Sequence, residues 1–459
     1  MLKTPKIKKN INLLLTLTAI ATISPLMLFA RPYVGLSFKG ILLGQVVIGC
    51  CLFLFILTFI PHFSRVVKNY AGDKFVITYQ LIVLSFFILA GISESNFLDP
   101  YPYKTSSYIW TISILFVSIL FFAKVDIEYK YFKILLLIPF LIYLFSTGNY
   151  PDVVINFFKE NSDKFQFLKA SDLMISVISV NIFTKRIIKN EETRFIYIAL
   201  TSAAFIPLLL FMSRGSFLGL TVYLIIEFYI NRNLLKKIPI KAVLIVFSTL
   251  MVFTSSLFYV DYLYINEDTK TLNFEVLEPG IASTLSSSIS DLALKDESRK
   301  IFFSFYIHYG RVESKDPTTN WRLDIWQDIV YDQIDENRLF TGYGYKEILP
   351  QMTDPTAPGR LGRDGLNENV HSYIFNIIAR GGLIQFFLFL YLYYCILQKW
   401  FEKNKNYNVV SLIFPVILTA SLDIAMEGVQ YPVIFFFTLG FLLVNEQNKH
   451  TSTKVYTYN

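Results

Sequence analysis

Residues 195–230 read FIYIALTSAAFIPLLLFMSRGSFLGLTVYLIIEFYI, two apolar stretches that are separated by the polar turn Ser213-Arg214-Gly215-Ser216. A helix needs about 20 apolar residues to cross a hydrocarbon core of roughly 30 Å. Neither stretch alternates polar and apolar residues, as the strands of a membrane barrel do. The pattern predicts two membrane-spanning helices joined by a tight turn, and therefore an all-α fold.

The same apolar pattern recurs along the whole chain. Hydrophobic residues make up 54% of the sequence and charged residues 17%, and the mean hydropathy is +0.47. These values exclude an ordinary soluble domain and indicate a polytopic membrane protein. About 12 transmembrane helices are predicted, at residues 11–30, 41–60, 75–92, 105–123, 134–147, 170–184, 195–212, 215–230, 242–260, 372–397, 409–425 and 429–444.

A long polar insertion, residues 261–370, separates the ninth predicted helix from the tenth. The predicted organisation is helices one to nine in residues 1–260, the insertion with an amphipathic helix, helices ten to twelve in 371–444 and a cytoplasmic tail at 445–459. Lys and Arg are concentrated in the connections on the side of the N-terminus, so the positive-inside rule places both termini in the cytoplasm. The insertion is then expected at the periplasmic or outer face.

Charge and cysteine content exclude several classes of function. The net charge of +7 is explained by basic turns beside anionic lipid headgroups, so no nucleic-acid partner is expected. Cys50, Cys51 and Cys395 all fall inside predicted spans, which gives no disulfide or zinc framework. The sequence contains neither a glycine-rich nucleotide loop nor a His-Glu-x-x-His motif. We therefore expect no metal and no cofactor.

Arg214, in the turn between the seventh and eighth predicted helices, is the first candidate site residue. It is expected at the N-terminus of the eighth helix, where backbone N–H groups and the helix dipole favour an anion such as phosphate. The alternative is a guanidinium that reaches lipid headgroups, as is common at the ends of spans. The residues alone leave both interpretations open.

The second candidate lies in the insertion, where residues 320–330 read NWRLDIWQDIV. The apolar residues recur at helical spacing and predict an amphipathic helix: Trp321, Ile325, Trp326, Ile329 and Val330. Arg322 stands at the edge of this face, where it could reach a lipid-linked phosphate or pair with a neighbouring Asp in solvent. Tyr343 follows in the turn Gly-Tyr-Gly-Tyr at 342–345, which could contact sugar faces.

The third candidate is the segment Glu368 to Tyr373, where the insertion returns to the membrane. His371 stands at the mouth of the tenth predicted helix. A helix N-terminus disfavours imidazolium, so His371, with an ordinary pKa of about 6.5, is expected to stay neutral and able to accept a proton. The alternative is a histidine that only anchors the chain at the interface.

Three motifs occur in an order that resembles the O-antigen ligase and O-antigen polymerase superfamily. They are the Ser213-Arg214-Gly215 turn, the helix of Arg322 and Trp326 followed by Gly342-x-Gly344, and the His371-Ser372 entry into a glycine-containing helix. The resemblance is strongest over residues 214–388. The first six predicted spans are similar to the family only in being apolar membrane helices.

One ligase-type pattern is met almost completely. It consists of His, then Asn, Ser or Gln, nine residues, Gly, two residues, and Gly, Thr or Tyr. His371, Ser372 and Gly382 satisfy the first three positions, and Gln385 departs from the last. The departure weakens a choice of ligase over polymerase.

The resemblance implies a GT-C-type fold of twelve spans with a large periplasmic loop, in the bacterial inner membrane. It also implies the transfer or polymerisation of a glycan from an undecaprenyl diphosphate carrier onto an acceptor hydroxyl at the periplasmic face, with inversion and without a metal. The acceptor could be lipid A-core, another carrier-linked glycan or a protein. By the same resemblance, Arg214 and Arg322 would neutralise the leaving diphosphate, and His371 would take the proton of the acceptor hydroxyl.

Arg380, Glu368, Trp326 and Tyr343 are secondary candidates. Arg380 lies nine residues after His371, about 13 Å farther along a helix at roughly 1.5 Å per residue. An intramembrane cation is costly, so a partner is expected, either Asp423 or Glu427. The Pro- and Gly-rich segment 354–365 is expected to close over bound substrate.

A transporter or a flippase for lipid-linked glycans is the alternative function. Secondary transporters also often have twelve spans, with a substrate site on broken helices near the membrane midplane and internal repeats. Neither feature is visible in the sequence, and transport does not explain the long insertion.

Overall fold

The computed structural model describes residues 5–148, 150–164, 168–265, 304–357, 360 and 368–455. The described chain is mostly helical, with two small antiparallel hairpins. Residues 266–303 of the insertion and most of the segment 358–367 lie outside this range.

The part that precedes the insertion contains fourteen described helices and one hairpin. The helices are α1 Pro5–Val34, α2 Leu43–Ile56, α3 Pro61–Ala71, α4 Asp73–Ile92, α5 Pro100–Thr105, α6 Ser107–Trp110, α7 Ser113–Lys124, α8 Ile138–Thr147, α9 Asp152–Asn161, α10 Ala170–Ile187, α11 Glu191–Met212, α12 Arg214–Ile230, α13 Arg232–Lys237 and α14 Pro239–Ile265. The hairpin pairs β1 Ser37–Phe38 with β2 Ile41–Leu42. Short 3₁₀ turns occur at Leu57–Phe59 and Tyr131–Leu137.

The insertion and the C-terminal part contain the remaining described elements. They are β3 Phe305–His308, β4 Arg311–Ser314, α15 Pro317–Asp335, α16 Tyr373–Asn404, α17 Val410–Ser421 and α18 Gln430–Val455, with 3₁₀ turns at Pro350–Met352 and Ala425–Glu427. The predicted amphipathic segment 320–330 lies within α15. Ile325 and Ile329 of α15 are fully buried in a cluster with Leu349, Met352 and Val370.

Six described helices are long and apolar enough to cross a membrane, and two bent helix pairs raise the number to as many as eight. Two further apolar helices, Val410–Ser421 and Gln430–Asn445, are shorter. Each of the twelve predicted segments contains helix, but several are short or broken, so the count of twelve stays a prediction. The protein is a multi-pass helical membrane protein.

The second predicted span differs from the structure at both ends. Residues 41–42 pair with Ser37–Phe38 across the turn Lys39-Gly40, where both residues have positive φ (52° and 81°). Two positive φ values match the tight turn that joins twisted strands. The helix also breaks before Pro61, where the chain bends by 92° into α3, because proline has no N–H to continue the helix.

Helix α10 lies at the centre of the bundle and is buried at every position from Ala170 to Thr184. It packs against α11, α12 and α18. Its polar residues include Asp172 and Asn181, whose amide donates to Ser202 Oγ at 3.3 Å. This burial explains why the sixth predicted span is only weakly apolar, since α10 contacts other helices rather than lipid.

Helix α16 is broken at Gly382, which has φ of 64°. The break exposes carbonyl groups, and the insertion satisfies them. Tyr343 N donates to Ala379 O at 2.8 Å, and Gly344 N donates to Arg380 O at 2.9 Å. The aromatic turn of the insertion is therefore bonded directly into a membrane helix.

The amides that follow the break are satisfied by the same insertion. Leu383 N donates to Leu339 O at 2.9 Å, and Ile384 N donates to Phe340 O at 3.3 Å. A Cβ at Gly382 would lie 2.3 Å from the carbonyl carbon of Phe340, far inside van der Waals contact. Glycine is therefore required here both for its positive φ and for the close approach of the two backbones.

Candidate active site

Arg214 is the first residue of α12, and its guanidinium is held by the start of α15. Arg214 Nη2 lies 2.9 Å from Asp316 Oδ1, and Nη1 lies 3.5 Å from Thr319 Oγ1. The Asp316 side chain is only 2% exposed, whereas that of Arg214 is 28% exposed. The membrane helix α12 and the insertion helix α15 are thus joined by an ion pair, and Arg214 contacts a carboxylate of its own chain.

Asp316 also caps α15. Its Oδ2 accepts hydrogen bonds from Thr319 N at 2.9 Å and from Thr319 Oγ1 at 2.6 Å. Burial raises the pKa of Asp316, but the bonds from Thr319 and Arg214 outweigh it and hold the pKa below its ordinary value. Asp316 is therefore an anion that sets both the start of α15 and the position of Arg214.

Arg322 points from α15 towards the turn that follows α17. Its Nη1 donates to Leu422 O at 2.8 Å. A helix C-terminus carries partial negative charge and suits a cation. The adjacent Asp423 is close enough to Arg322 for the two charges to interact. The sequence left open a pair between Arg322 and an Asp of its own helix; the structure directs Arg322 to the α17–α18 turn.

His371 lies one residue before the cap of α16 and has φ of 53°. Its ring packs edge-on against Trp321 of α15, with centroids 5.1 Å apart. Burial, together with Arg322, lowers the pKa of His371 to about 3, although Asp423 acts in the opposite direction. The imidazole is neutral at physiological pH. The helix N-terminus was expected to keep His371 neutral, whereas burial is the main cause in the structure.

Trp326 fixes the segment that carries His371. Its Nε1 donates to Val370 O at 2.7 Å, and its ring stacks on Phe375 with centroids 4.9 Å apart and an interplanar angle of 6°. Trp326 therefore ties α15 to the chain on both sides of His371. Its contacts are those of a positioning residue.

Helix α15 is the element that gathers the three primary candidates. Its first turn holds Arg214 through Asp316 and Thr319, it carries Arg322, and its Trp321 packs on His371. Arg322 and His371 are close enough for the charge of one to shift the pKa of the other. Two cations and a neutral base thus lie at one end of the bundle, which suits displacement of an anionic leaving group by a hydroxyl.

Arg380 does not form the ion pair expected from the sequence. Its Nη1 donates to Gly344 O at 3.3 Å and Glu347 O at 2.5 Å, and its Nη2 donates to Tyr101 OH at 3.2 Å. The reason is the break at Gly382, which brings the insertion backbone against Arg380 and surrounds it with carbonyl oxygens. The expected direct pairing with Asp423 or Glu427 is therefore wrong.

Glu427 is a buried carboxyl group in the turn between α17 and α18. Among the described residues, neither of its side-chain oxygens has a hydrogen-bond partner. Burial raises the pKa of Glu427 to about 8, although Arg380 acts to lower it. Glu427 is therefore mainly protonated at neutral pH.

The insertion is held in place by an ion pair and hydrogen bonds that involve Glu368, Tyr343 and Arg360. Glu368 Oε2 lies 3.1 Å from Lys104 Nζ, in a half-exposed ion pair. The Tyr343 hydroxyl accepts from Gln351 Nε2 at 2.9 Å, and Arg360 donates to Gln351 O at 2.9 Å. Within the segment 354–365, which is expected to close over substrate, the structure describes residues 354–357 and Arg360, and the rest of the segment lies outside the described chain.

Gln385, where the sequence departs from the ligase-type pattern, is fully buried. Its Oε1 accepts from the Tyr345 hydroxyl at 2.6 Å, and its Nε2 donates to Ser85 Oγ at 3.2 Å. The Tyr108 hydroxyl joins the same network, 3.0 Å from that of Tyr345. The departure thus lies in the contact between α4, α16 and the insertion, not beside His371.

Sequence reasoning missed Arg31 and Lys169. Both act with Arg322 to lower the pKa of His371, and both lie at the same end of the bundle. Their position was a usable signal, because the positive-inside rule makes basic residues uncommon on the predicted outer face. Asp172 also lies here and accepts from Gln430 Nε2 at 3.3 Å.

Comparison with known proteins points to the same part of the chain. Residues 198–390 match the family model described as O-antigen ligase. No curated protein matches the chain. The matched range contains Arg214, Arg322, His371 and Arg380, and it confirms the resemblance that the motifs indicate.

Proposed function

We propose, from the match of residues 198–390 to the family model described as O-antigen ligase, that this chain transfers or polymerises a glycan from an undecaprenyl diphosphate carrier. The acceptor is a hydroxyl at the periplasmic membrane face, and the reaction is inverting and independent of metal. The observation that carries the proposal is the gathering of Arg214, Arg322 and His371 around α15.

In this proposal the two arginines stabilise the leaving diphosphate. Charge develops on the diphosphate as its bond to the anomeric carbon breaks, and preorganised guanidinium groups stabilise such charge. The Arg214 guanidinium is partly exposed and contacts Asp316, so a bound phosphate must share this guanidinium with Asp316 or displace the carboxylate. Arg322 contacts a neutral carbonyl, Leu422 O, which a dianion readily outcompetes.

His371 accepts the proton of the acceptor hydroxyl as the oxygen attacks the anomeric carbon. With a pKa of about 3, His371 is a weak base in this arrangement of charges. Arg322 is one cause of the low pKa, so a diphosphate bound at Arg322 offsets that charge and raises the pKa of His371. Donor binding therefore prepares the base, and Asp423 stabilises the imidazolium that forms.

The topology belongs to the same proposal. We propose twelve spans in a GT-C-type arrangement in the bacterial inner membrane, with residues 261–370 in the periplasm and both termini in the cytoplasm. Residues 1–260 and 371–444 supply the spans, and 445–459 form the tail. The acceptor is lipid A-core, another carrier-linked glycan or a protein. Membrane lipids surround the spans and are the further partners of the chain.

The test is a gel of lipopolysaccharide and carrier lipid from a deletion strain that carries the wild-type gene, His371→Ala or His308→Ala. His308 is a matched control, since it is an exposed histidine of β3 that lies 3.1 Å from Glu313. We expect wild type and His308→Ala to restore the ladder and His371→Ala to leave carrier-linked glycan accumulated. A normal ladder with His371→Ala contradicts the base assignment.

The deletion strain also distinguishes the activities. A core that bears one repeat indicates a polymerase, whereas a bare core with accumulated carrier-linked polymer indicates a ligase. If neither pool changes, exported polysaccharide and glycoproteins are the next products to compare, because a protein O-glycosyltransferase acts on a different acceptor.

The break in α16 is the observation that favours a transporter or flippase, since transporters bind substrate at discontinuous helices. Here, however, the carbonyl groups of Ala379 and Arg380 are bonded to amides of the insertion. This bonding leaves the break poorly suited to coordinate an ion. Uptake or flipping of lipid-linked glycan in vesicles that contain only this protein would support the alternative.

A further inference from the structure

A cleft of about 500 Å³ lies at the far end of α16 from His371. It opens between α3, the start of α4 and the last turns of α16. The helix α16 spans Tyr373–Asn404, so at about 1.5 Å per residue Lys399 lies roughly 40 Å along its path from the start beside His371. The cleft and the candidate active site therefore lie at opposite ends of the α16 path.

The cleft carries an excess of positive charge. Of the described residues that line it, four are cationic and one is a carboxylate: Arg65, Lys68, Lys399, Lys403 and Asp73. Lys68 Nζ lies 3.3 Å from Asp73, so this carboxylate is already used. Among the described residues, Arg65 and Lys399 have no carboxylate within ion-pair distance. Both cations are therefore available to a ligand with negative charge.

The surroundings of the cleft match the edge of a bilayer. The helix α3 turns by 92° from the span that precedes it, and Val66, Val67 and Ala71 bury its apolar face. Phe59 and Ile60, just before α3, are exposed. The apolar face of α3 therefore packs against the protein, and the exposed apolar surface beside the cations is that of Phe59 and Ile60.

We propose that this cleft binds the phosphate of an anionic phospholipid, with the headgroup between α3 and α16 and the acyl chains against Phe59 and Ile60. Paired lysine and arginine donors suit a phosphodiester. Phe59 and Ile60 directly precede Pro61, which lines the cleft, and these exposed apolar residues favour a lipid over free phosphate, because free phosphate has no apolar part to pack against them. The site is independent of the proposed glycosyl transfer and lies on the opposite side of the molecule.

The test is lipid binding to the purified full-length chain in neutral detergent. Native mass spectrometry counts bound phosphatidylglycerol or phosphatidylcholine during a titration with each lipid. We expect one tightly bound phosphatidylglycerol and no equivalent phosphatidylcholine. The double variant Arg65→Gln/Lys399→Gln is expected to weaken this binding roughly tenfold or more, because charge-assisted hydrogen bonds are lost.

The control variant is Lys236→Gln/Lys237→Gln, which removes two charges from the exposed helix α13 on the same predicted side. It is expected to bind phosphatidylglycerol like wild type. Equal losses in both double variants overturn the proposal, since the attraction is then unspecific. Equal binding of both lipids by the wild type also overturns it, without reliance on any variant. Displacement of the lipid by inorganic phosphate alone overturns the assignment to a lipid.

Discussion

The residues of the candidate site are held by contacts of different strength and reach. The Arg214–Asp316 contact is a charge-assisted hydrogen bond to a buried carboxylate that also caps a helix. The Lys104–Glu368 ion pair has an exposed lysine, so it contributes little to stability by comparison. At this scale the position of α15 depends on Asp316 more than on any surface pair.

Glu427 predicts a pH dependence of stability. Its pKa is raised by burial to about 8, above its ordinary value of 4.5, so the folded protein binds a proton more tightly than the unfolded chain. The stabilisation is complete below about pH 4.5 and is lost as pH rises through 8. We expect the Tm of the wild type in detergent to fall between pH 6 and 9.

The variant Glu427→Gln keeps the shape of the protonated carboxyl group and cannot ionise. We expect its Tm to fall less over the same interval. The control is Glu402→Gln, which changes an exposed glutamate near the end of α16. An identical slope in wild type and Glu427→Gln would contradict the pKa assignment.

Trp326→Phe tests the positioning of His371. The change keeps an aromatic ring beside Phe375 and removes the hydrogen bond from Nε1 to Val370 O. A neutral hydrogen bond is worth about 1 kcal/mol, so we expect kcat to fall roughly fivefold if its loss is expressed in the transition state. The KM for the donor should change little, since the hydrogen bond that is lost goes to Val370 O, beside His371, and not to either arginine.

Trp400→Phe is the matched control for that variant. Trp400 is buried near the other end of α16, and its Nε1 donates to Asn406 O at 2.9 Å. The same type of hydrogen bond is lost there, far from His371. A similar decrease in kcat for both variants would mean that the effect is one of general stability.

At the scale of the elements, the most specific prediction concerns the break in α16. Gly382→Ala places a Cβ 2.3 Å from the Phe340 carbonyl carbon in a backbone with φ of 64°. Such strain costs on the order of 1–3 kcal/mol before any clash is included. We expect a lower Tm and looser attachment of the insertion, seen as faster hydrogen exchange at Tyr343 and Gly344.

Gly49→Ala is the control for this change. Gly49 lies within α2, and an added Cβ has no described neighbour within 4 Å. Alanine is the better helix former, so this variant should equal or exceed the wild type in Tm. If Gly382→Ala were as stable as Gly49→Ala, the close approach of the insertion to α16 would be wrong.

At the scale of the molecule, the proposed topology places the insertion and α13 on opposite sides of the membrane. Tyr309, in the turn between β3 and β4, is 94% exposed, and Lys236 is exposed in α13. In a background without Cys50, Cys51 and Cys395, Tyr309→Cys should react with an impermeant maleimide added to spheroplasts. Lys236→Cys should react only after lysis. Labelling of both from the same side would contradict the topology.

Local sequence patterns determined the structural class of this protein, the presence of helix α15 and the resemblance to a family. Uninterrupted apolar runs gave its class, because a bilayer admits only long helices or closed barrels. The spacing of Trp321, Ile325 and Ile329 predicted α15, and the order of three motifs indicated the family over 198–390. These features depend on periodicity or on short spacings, which are properties of a segment by itself.

Tertiary structure alone decided what those residues contact. Arg214 and Asp316 are 102 positions apart, and Arg322 and Leu422 are 100 apart, so no local pattern relates them. The sequence paired Arg380 with a carboxylate, whereas the fold surrounds it with carbonyl oxygens of the insertion. Burial, which gives His371 and Glu427 their protonation states, is also a property of the packed molecule, because it depends on which helices meet around each side chain.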